Sequence, residues 1–292
     1  MRQNVTALPT ITLRTSGTHR RATLANVAAF IALIIGTAVW LVPFAWALDT
    51  ALKPESETTA IPSRWIPAHI TLDAFGKVLS AGSLPRWYLN SVIVSVSITF
   101  ITVVLASLAA YAFSQIPFRG RRFVFALVMA GLMVPAQVLI VPLYTMMNDL
   151  GFVNTYQGVI LPQIASPIAV FILKQFFDGL PRELAEAAVM DGCTRFRIFW
   201  QIWVPLSRAA VAAVSIFTFV WSWNNFLWPL IVITSTDMMP LTVGLSTVTS
   251  SFGVQYAQIM ASAVLAAIPI LLVFAIFQRQ IVQGIAGTGI KG

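Results

Sequence analysis

The chain has 292 residues, of which 58% are hydrophobic and only 10% charged, with a formal net charge of +8. A soluble domain carries roughly 25% charged residues, so this balance excludes an ordinary soluble globular domain and points to a membrane protein. Nucleic-acid binding, the rival reading of a basic protein, is set aside because the basic residues are scattered over four separate segments beside apolar runs.

Residues 1–22 are polar, carry Thr, Ser, Arg and Pro, and lack an apolar period. They are expected to form a mostly disordered cytoplasmic tail, with a transmembrane domain over 23–292. Six charge-free apolar runs follow, and a spanning helix needs about 20 such residues. They place spans at about 25–48, 89–113, 123–146, 156–174, 209–233 and 258–278. The first run follows Arg20 and Arg21, as the core of a signal peptide would. It is nevertheless about as long as a full span, where a signal core has about 7–15 apolar residues. The fourth run is the weakest, short and holding Pro162 and Pro167. The fold class is therefore an all-α membrane protein of six transmembrane helices, with a cytoplasmic helix-turn-helix between spans four and five.

Between the first two spans, residues 49–88 are broken up by Pro54, Pro62 and Pro67. Within them Thr71 to Leu79 reads as a short helix, Thr71 its N-cap, with Phe75 and Leu79 on one face. Trp65, Trp87 and Tyr88 sit where an interfacial aromatic belt would lie. The short turn QIPFRGRR, Gln115 to Arg122, makes spans two and three neighbours. Spans three and four are joined by NDLGFVNT, and residues 235–256 form a polar, nearly uncharged segment. Cys193 is the only cysteine, so no internal disulfide forms, and it reads as a small residue that fits its place.

An even number of spans puts both termini on one side. If that side is the cytoplasm, the inner segments hold 14 of the 18 basic residues, whereas the outer ones hold six of the ten acids. This is the positive-inside bias, and it places both termini on the cytoplasmic side. The spans carry Pro43, Pro135, Pro142, Pro162, Pro167, Pro229 and Pro269. Each removes a backbone hydrogen bond and tends to kink its helix. As a set they favour moving, partly hydrated helices over a rigid anchor.

Apart from Lys174 at the very end of the fourth, no Asp, Glu, His, Lys or Arg lies inside an expected span, where proton- or sodium-coupled carriers place them. No phosphate-binding glycine loop and no catalytic triad is present, and His19 and His69 fall on opposite sides. No catalytic residue, metal or cofactor is expected on this chain. Any energy for uphill movement comes from another chain.

The segment from Asp178 to Pro205, within a loop at 178–207, departs from its greasy surroundings. Pro181 suits a first helical position. Glu183 and Glu186 follow where a helix dipole favours acids, and Gly192 is a good C-terminal stop. Thr194 can cap a second helix, RFRIFWQIW, which Pro205 ends. Alanines at 185, 187 and 188 leave a thin helix that another surface can approach, with Glu186 and Asp191 supplying charge at its edges. It either fits a groove in a partner or merely connects two spans at the interface.

EAAVMDG, with Ile202 and Pro205 further on, resembles the E-A-A-x-x-x-G … I-x-L-P loop of ABC-transporter permeases. Glu186, Ala187, Ala188, Gly192, Ile202 and Pro205 fall in register; Val204 replaces the leucine, and Arg208 stands where many relatives have proline. LNSVIVS, LAAYAFSQIPFRGRR, GLMVPAQVLIVPLY, WSWNNFLWPL and FQRQIVQGIAGTGIKG resemble the carbohydrate-uptake branch, similar to the maltose-type second permease subunit. The resemblance implies that Glu183, Glu186, Ala187, Ala188, Asp191 and Gly192 dock into a cytoplasmic ATPase dimer, where ATP and Mg would bind. It implies a second homologous permease subunit, an extracytoplasmic solute-binding protein, and a sugar or sugar-like substrate. Asn90, Asn224 and Asn225 are the candidates to line the translocation pathway, although the amides at 224 and 225 serve equally to bond neighbouring helices. The ending GIAGTGIKG either reaches the ATPase interface or frays. The functional alternative is a stand-alone carrier or channel for a small polar solute.

Overall fold

In the computed structural model, residues 16–61, 64–80, 83–251 and 254–289 are described, and they form helices without any strand. In chain order the α-helices are α1 (Ser16–Ala51), α2 (Glu55–Thr58), α3 (Asp73–Ser80), α4 (Leu84–Gln115), α5 (Arg121–Ala130), α6 (Ile140–Asp149), α7 (Tyr156–Ile160), α8 (Pro167–Asp178), α9 (Glu183–Met190), α10 (Arg195–Ile198), α11 (Val204–Leu206), α12 (Arg208–Trp223), α13 (Leu227–Val232), α14 (Leu241–Ser251) and α15 (Tyr256–Gly289).

Three helical stretches are long and apolar enough to cross a membrane unbroken, in α1, α4 and α15. Three further pairs of helical arms bend by 93°, 47° and 80°, giving up to six spans if each pair is one. The long central α4 packs along α8 and α12, while α1 lies along α15. Outward-facing Phe30, Leu33, Trp40 and Phe44 leave α1 an apolar exterior fit for lipid.

The prolines divide by position. Pro43 and Pro269 sit inside continuous helices. Pro142 and Pro229 lie in the first turns of α6 and α13, where the missing N–H has no intrahelical partner to lose. The sharp break comes at Pro135, between Arg121–Met133 and Ala136–Asp149, at 93°. The 47° break in the fourth span precedes Pro167, which begins α8 with Ser166 as its cap.

Two expectations are corrected. The tail does not remain irregular up to residue 22, because α1 begins at Ser16. No proline interrupts residues 16–42, and extending an existing helix adds a hydrogen bond for each residue fixed. Residues 1–15, including Arg2 and Arg14, lie outside the described residues, as do Pro62 and the last three residues with Lys291. The glycine-rich ending is helical as far as Gly289 rather than frayed. The second correction concerns Pro205, which does not end its helix. The chain opens into a π turn over Phe199–Trp203 and carries on through Val204–Leu206. The corner comes two residues later, where Arg195–Leu206 meets Arg208–Trp223 at 80°. A π turn just before the proline changes the bonding register where the Pro205 N–H is missing.

The loops assigned to the two membrane sides gather at opposite ends of the molecule. At one end Glu55 caps α15 by accepting from the amides of Tyr256 at 2.6 Å and Ala257 at 3.1 Å. Buried Lys53 bonds the Asp49 carboxylate and, at 2.6 Å, the Arg64 carbonyl. The His69 ring, 2.7 Å from Glu57, holds that carboxyl below its ordinary value. Thr71 Oγ1 accepts from the Asp73 amide at the start of α3. The buried side of α3 is Ala74 and Val78 with Phe75 against them, while Leu79 stays 53% exposed, outside the expected face. At the other end the turn after α4 meets α8, α9 and α10, and the site is built there.

Candidate functional site

The end of α8 is fixed first. Asp178 accepts from Lys174 Nζ at 2.5 Å and from Ser114 Oγ on α4 at 2.7 Å. Gln115 donates to Ser114 Oγ at 2.8 Å, and the Arg121 guanidinium donates to the Ser114 carbonyl at 3.3 Å. The turn between α4 and α5 is thereby tied to the root of the loop carrying α9.

Helix α9 is short, and its C-terminus is closed by a Schellman motif. The Cys193 amide donates to the Ala188 carbonyl at 2.9 Å and the Gly192 amide to the Val189 carbonyl at 3.0 Å. Gly192 sits at φ +77°, which only glycine adopts cheaply. Cys193 packs against the same apolar cluster as Ala188, the contact that usually accompanies this motif. Thr194 Oγ1 then accepts from the Arg197 amide at 3.3 Å and starts α10. The turn is therefore built from backbone bonds that close on themselves.

The second arm is anchored in the core. Ile198, Phe199 and Trp203 are buried beside Tyr111, Leu173 and Phe177. Tyr111 lies 5.2 Å from the Phe199 ring and donates to the Arg195 carbonyl at 3.1 Å. Sequence reasoning passed over this tyrosine as an anchor, although it stands in the A-Y-A stretch at the end of span two.

Of α9 itself only Ala188 is buried, at 6% exposure. Glu183, Glu186, Ala187, Asp191 and Gly192 are exposed, and Val189 and Met190 are 56% and 87% exposed. The six candidate coupling residues thus occupy one helix and its cap. Five face outward and one faces the core. An apolar side chain as open as Met190 on a helix with fixed ends is a surface ready to be covered.

The three asparagines separate. Asn90 is 1% exposed, and its amide is fully committed. It donates to the carbonyls of Asp237 at 2.8 Å and Met239 at 2.9 Å, and it accepts from Tyr156 Oη at 2.7 Å. Ser91 Oγ accepts from the Leu241 amide at 2.8 Å, and Trp87 Nε1 donates to the Thr236 carbonyl at 2.9 Å. The start of α4 thereby clamps residues 236–241.

Asn225 donates to the side-chain oxygen of Gln163, and its carbonyl accepts from Thr242 Oγ1 at 3.1 Å. Gln163 donates to the Val159 carbonyl at 2.7 Å, and Thr102 Oγ1 donates to the Ile164 carbonyl at 3.1 Å. Side chains so satisfy the backbone where spans four and five break, as an apolar surrounding requires. Only Asn224 is exposed, its Nδ2 on the carbonyl of Val220, one turn back. No group of three or more His, Cys, Asp or Glu able to hold a metal occurs among the described residues.

The model of binding-protein-dependent transport system inner membrane components matches residues 102–287. Among curated proteins, the arabinooligosaccharides transport system permease protein of Halalkalibacterium halodurans is 39% identical over 267 residues, covering 90% of this chain and 94% of that one. The diacetylchitobiose uptake system permease protein of Streptomyces coelicolor is 34% identical, covering 87% and 85%. Among solved structures, a bacterial ABC transporter involved in the import of alginate superposes with a TM-score of 0.78 at 21% identity, covering 92% of this chain and 99% of that one. This last likeness speaks for the fold alone.

Proposed function

The chain belongs to the family of binding-protein-dependent transport system inner membrane components, and from that premise we propose that it is the permease subunit of an ATP-driven importer of a sugar or sugar-like solute. The names of its relatives, which transport arabinooligosaccharides and diacetylchitobiose, support the carbohydrate class. Two permease subunits form the pathway, and this chain supplies half of it. A solute-binding protein delivers the sugar at the end that carries the Asn90 clamp. An ATPase dimer, holding ATP and Mg, sits at the end that carries α9. Both termini are cytoplasmic, in keeping with the excess of arginine and lysine on the α9 side.

The observation that carries the coupling role is the rigid presentation of α9. Its cap is closed by backbone bonds, and its second arm is packed into the core through Ile198, Phe199 and Trp203. A force on Glu183, Glu186 or Met190 therefore passes to α4 through Tyr111 and to α12 through the 80° corner. ATP-driven closure of the ATPases displaces α9, and the bent arms of spans three to five change which side the pathway opens to. Asn224, with its exposed amide, is the asparagine suited to meet a sugar hydroxyl.

The test is co-purification. With Glu186→Lys, which reverses the charge of the helix face, or Gly192→Pro, which removes the amide of the cap, the ATPase subunit is expected to be lost from the tagged complex. An unchanged yield of complex together with unchanged transport would refute the coupling role of α9.

A further inference from the structure

Beside α9 a groove of about 830 Å³ opens between that helix and the turn after α4. Arg119, Arg121, Arg122 and Arg182 line it, against a single carboxylate, Glu186. Four positive groups facing one negative one leave a net of +3 in one concavity. None of the four arginines makes an ion pair among the described residues; Arg121 spends one donor on the Ser114 carbonyl. Two of them stand in the first turn of α5, which has no acid there, so they sit at the end of the helix dipole that repels cations. Such an arrangement attracts an anion that the guanidinium groups can share.

The groove also has an apolar side. Pro117 and Phe118 line it, and the exposed Phe123 and Leu127 continue from its rim along α5. An arginine-lined cavity that runs into an exposed apolar strip at the end of membrane spans matches an amphiphile with a phosphate head. Guanidinium forks suit phosphate oxygens better than ammonium groups do. Glu186 both lines the groove and belongs to the coupling face, one turn before the open Met190, so the groove borders the surface proposed to meet the ATPase.

We propose that this groove binds the phosphate headgroup of an anionic lipid of the inner leaflet, with the acyl chains along Phe123 and Leu127. The lipid then becomes a structural part of the α9 mount, wedged between the coupling helix and α5. The inference rests on the α9 end being the inner one. Labelling of Arg119→Cys in a Cys193→Ser background, from either side of a sealed vesicle, establishes that independently of lipid binding.

The experiment is native mass spectrometry of the full chain in a neutral detergent, titrated with phosphatidylglycerol or with phosphatidylcholine of the same acyl chains. The expected result is one retained phosphatidylglycerol, bound at least tenfold more tightly than phosphatidylcholine. Arg119→Gln/Arg122→Gln/Arg182→Gln lowers it to the phosphatidylcholine level, and Arg208→Gln, on the same end but outside the groove, leaves it unchanged. If the triple variant aggregates, the single Arg182→Gln decides, with a several-fold loss expected. Equal retention of the two lipids, or undiminished phosphatidylglycerol in a well-behaved variant, overturns the proposal. Displacement by equimolar inorganic phosphate overturns the lipid as the source and assigns a free anion. Stripping of the lipid when the ATPase subunit is added also overturns it, and makes the groove a seat for an acidic protein segment.

Discussion

At the residue scale, the decisive positions are those whose backbone or amide has one job. Gly192 holds φ +77°, a conformation that costs another residue about 1–2 kcal/mol. Gly192→Ala is therefore expected to loosen the turn without unfolding the chain. Hydrogen exchange should quicken about tenfold or somewhat more at residues 183–194 and stay unchanged in α4. Asn90 and Asn224 make a paired prediction. Asn90→Leu leaves the Met239 carbonyl and the Tyr156 hydroxyl without that partner, at about 1–3 kcal/mol for each orphaned group, while the Asp237 carbonyl keeps Arg86 Nε at 3.1 Å. It should lower Tm and leave the KM for transport unchanged in whatever protein folds. Asn224→Ala should do the reverse, changing KM with little change in Tm. The glycine stop and the Thr194 cap were legible in the sequence, because both obey local rules that need no tertiary information. The work of Asn90 was not, because its partners Asp237 and Met239 lie about 150 positions away.

At the element scale, the six apolar runs were legible because span length and charge distribution are properties of composition. Their shape was less so. Seven prolines read alike in sequence, yet one faces a 93° break, two stand in first turns at no cost, and two lie inside unbroken helices. Around spans four and five, neighbouring side chains satisfy the freed backbone, as Thr102, Gln163 and Thr242 do. The π turn before Pro205 was equally hidden, since it depends on Phe199 and Trp203 finding Tyr111 on another helix. Close packing of elements has its own test at Gly244. A Cβ there would lie 2.2 Å from the Trp87 ring, which is buried and bonded to the Thr236 carbonyl. Gly244→Ala is expected to cost about 1–3 kcal/mol by overpacking. Trp87 fluorescence should shift towards that of a wetter ring, while ATPase co-purification is kept, because the damage falls at the end far from α9.

At the scale of the whole molecule, two ends with different chemistry are joined by bent arms. One end is tied by polar clamps around Asn90, Glu55 and Lys53, and the other presents a short helix with an open apolar face. The central helix α4 takes part in both, through Asn90 near its start and Tyr111 near its finish, so it is the direct mechanical connection between them. Fold class and family were legible because membrane patterning and the loop motif are both strong. The identity of the solute was not, because the apolar runs carry almost no charged residue that would specify one. The most direct measurement is the ATPase rate of the complex, purified through a tag on this chain after expression with its genomic neighbours. The account predicts an ATPase dimer and a second permease in the complex, with hydrolysis stimulated by a solute-binding protein together with one sugar of a panel. A chain that purifies alone and moves solute across liposomes without ATP would contradict it.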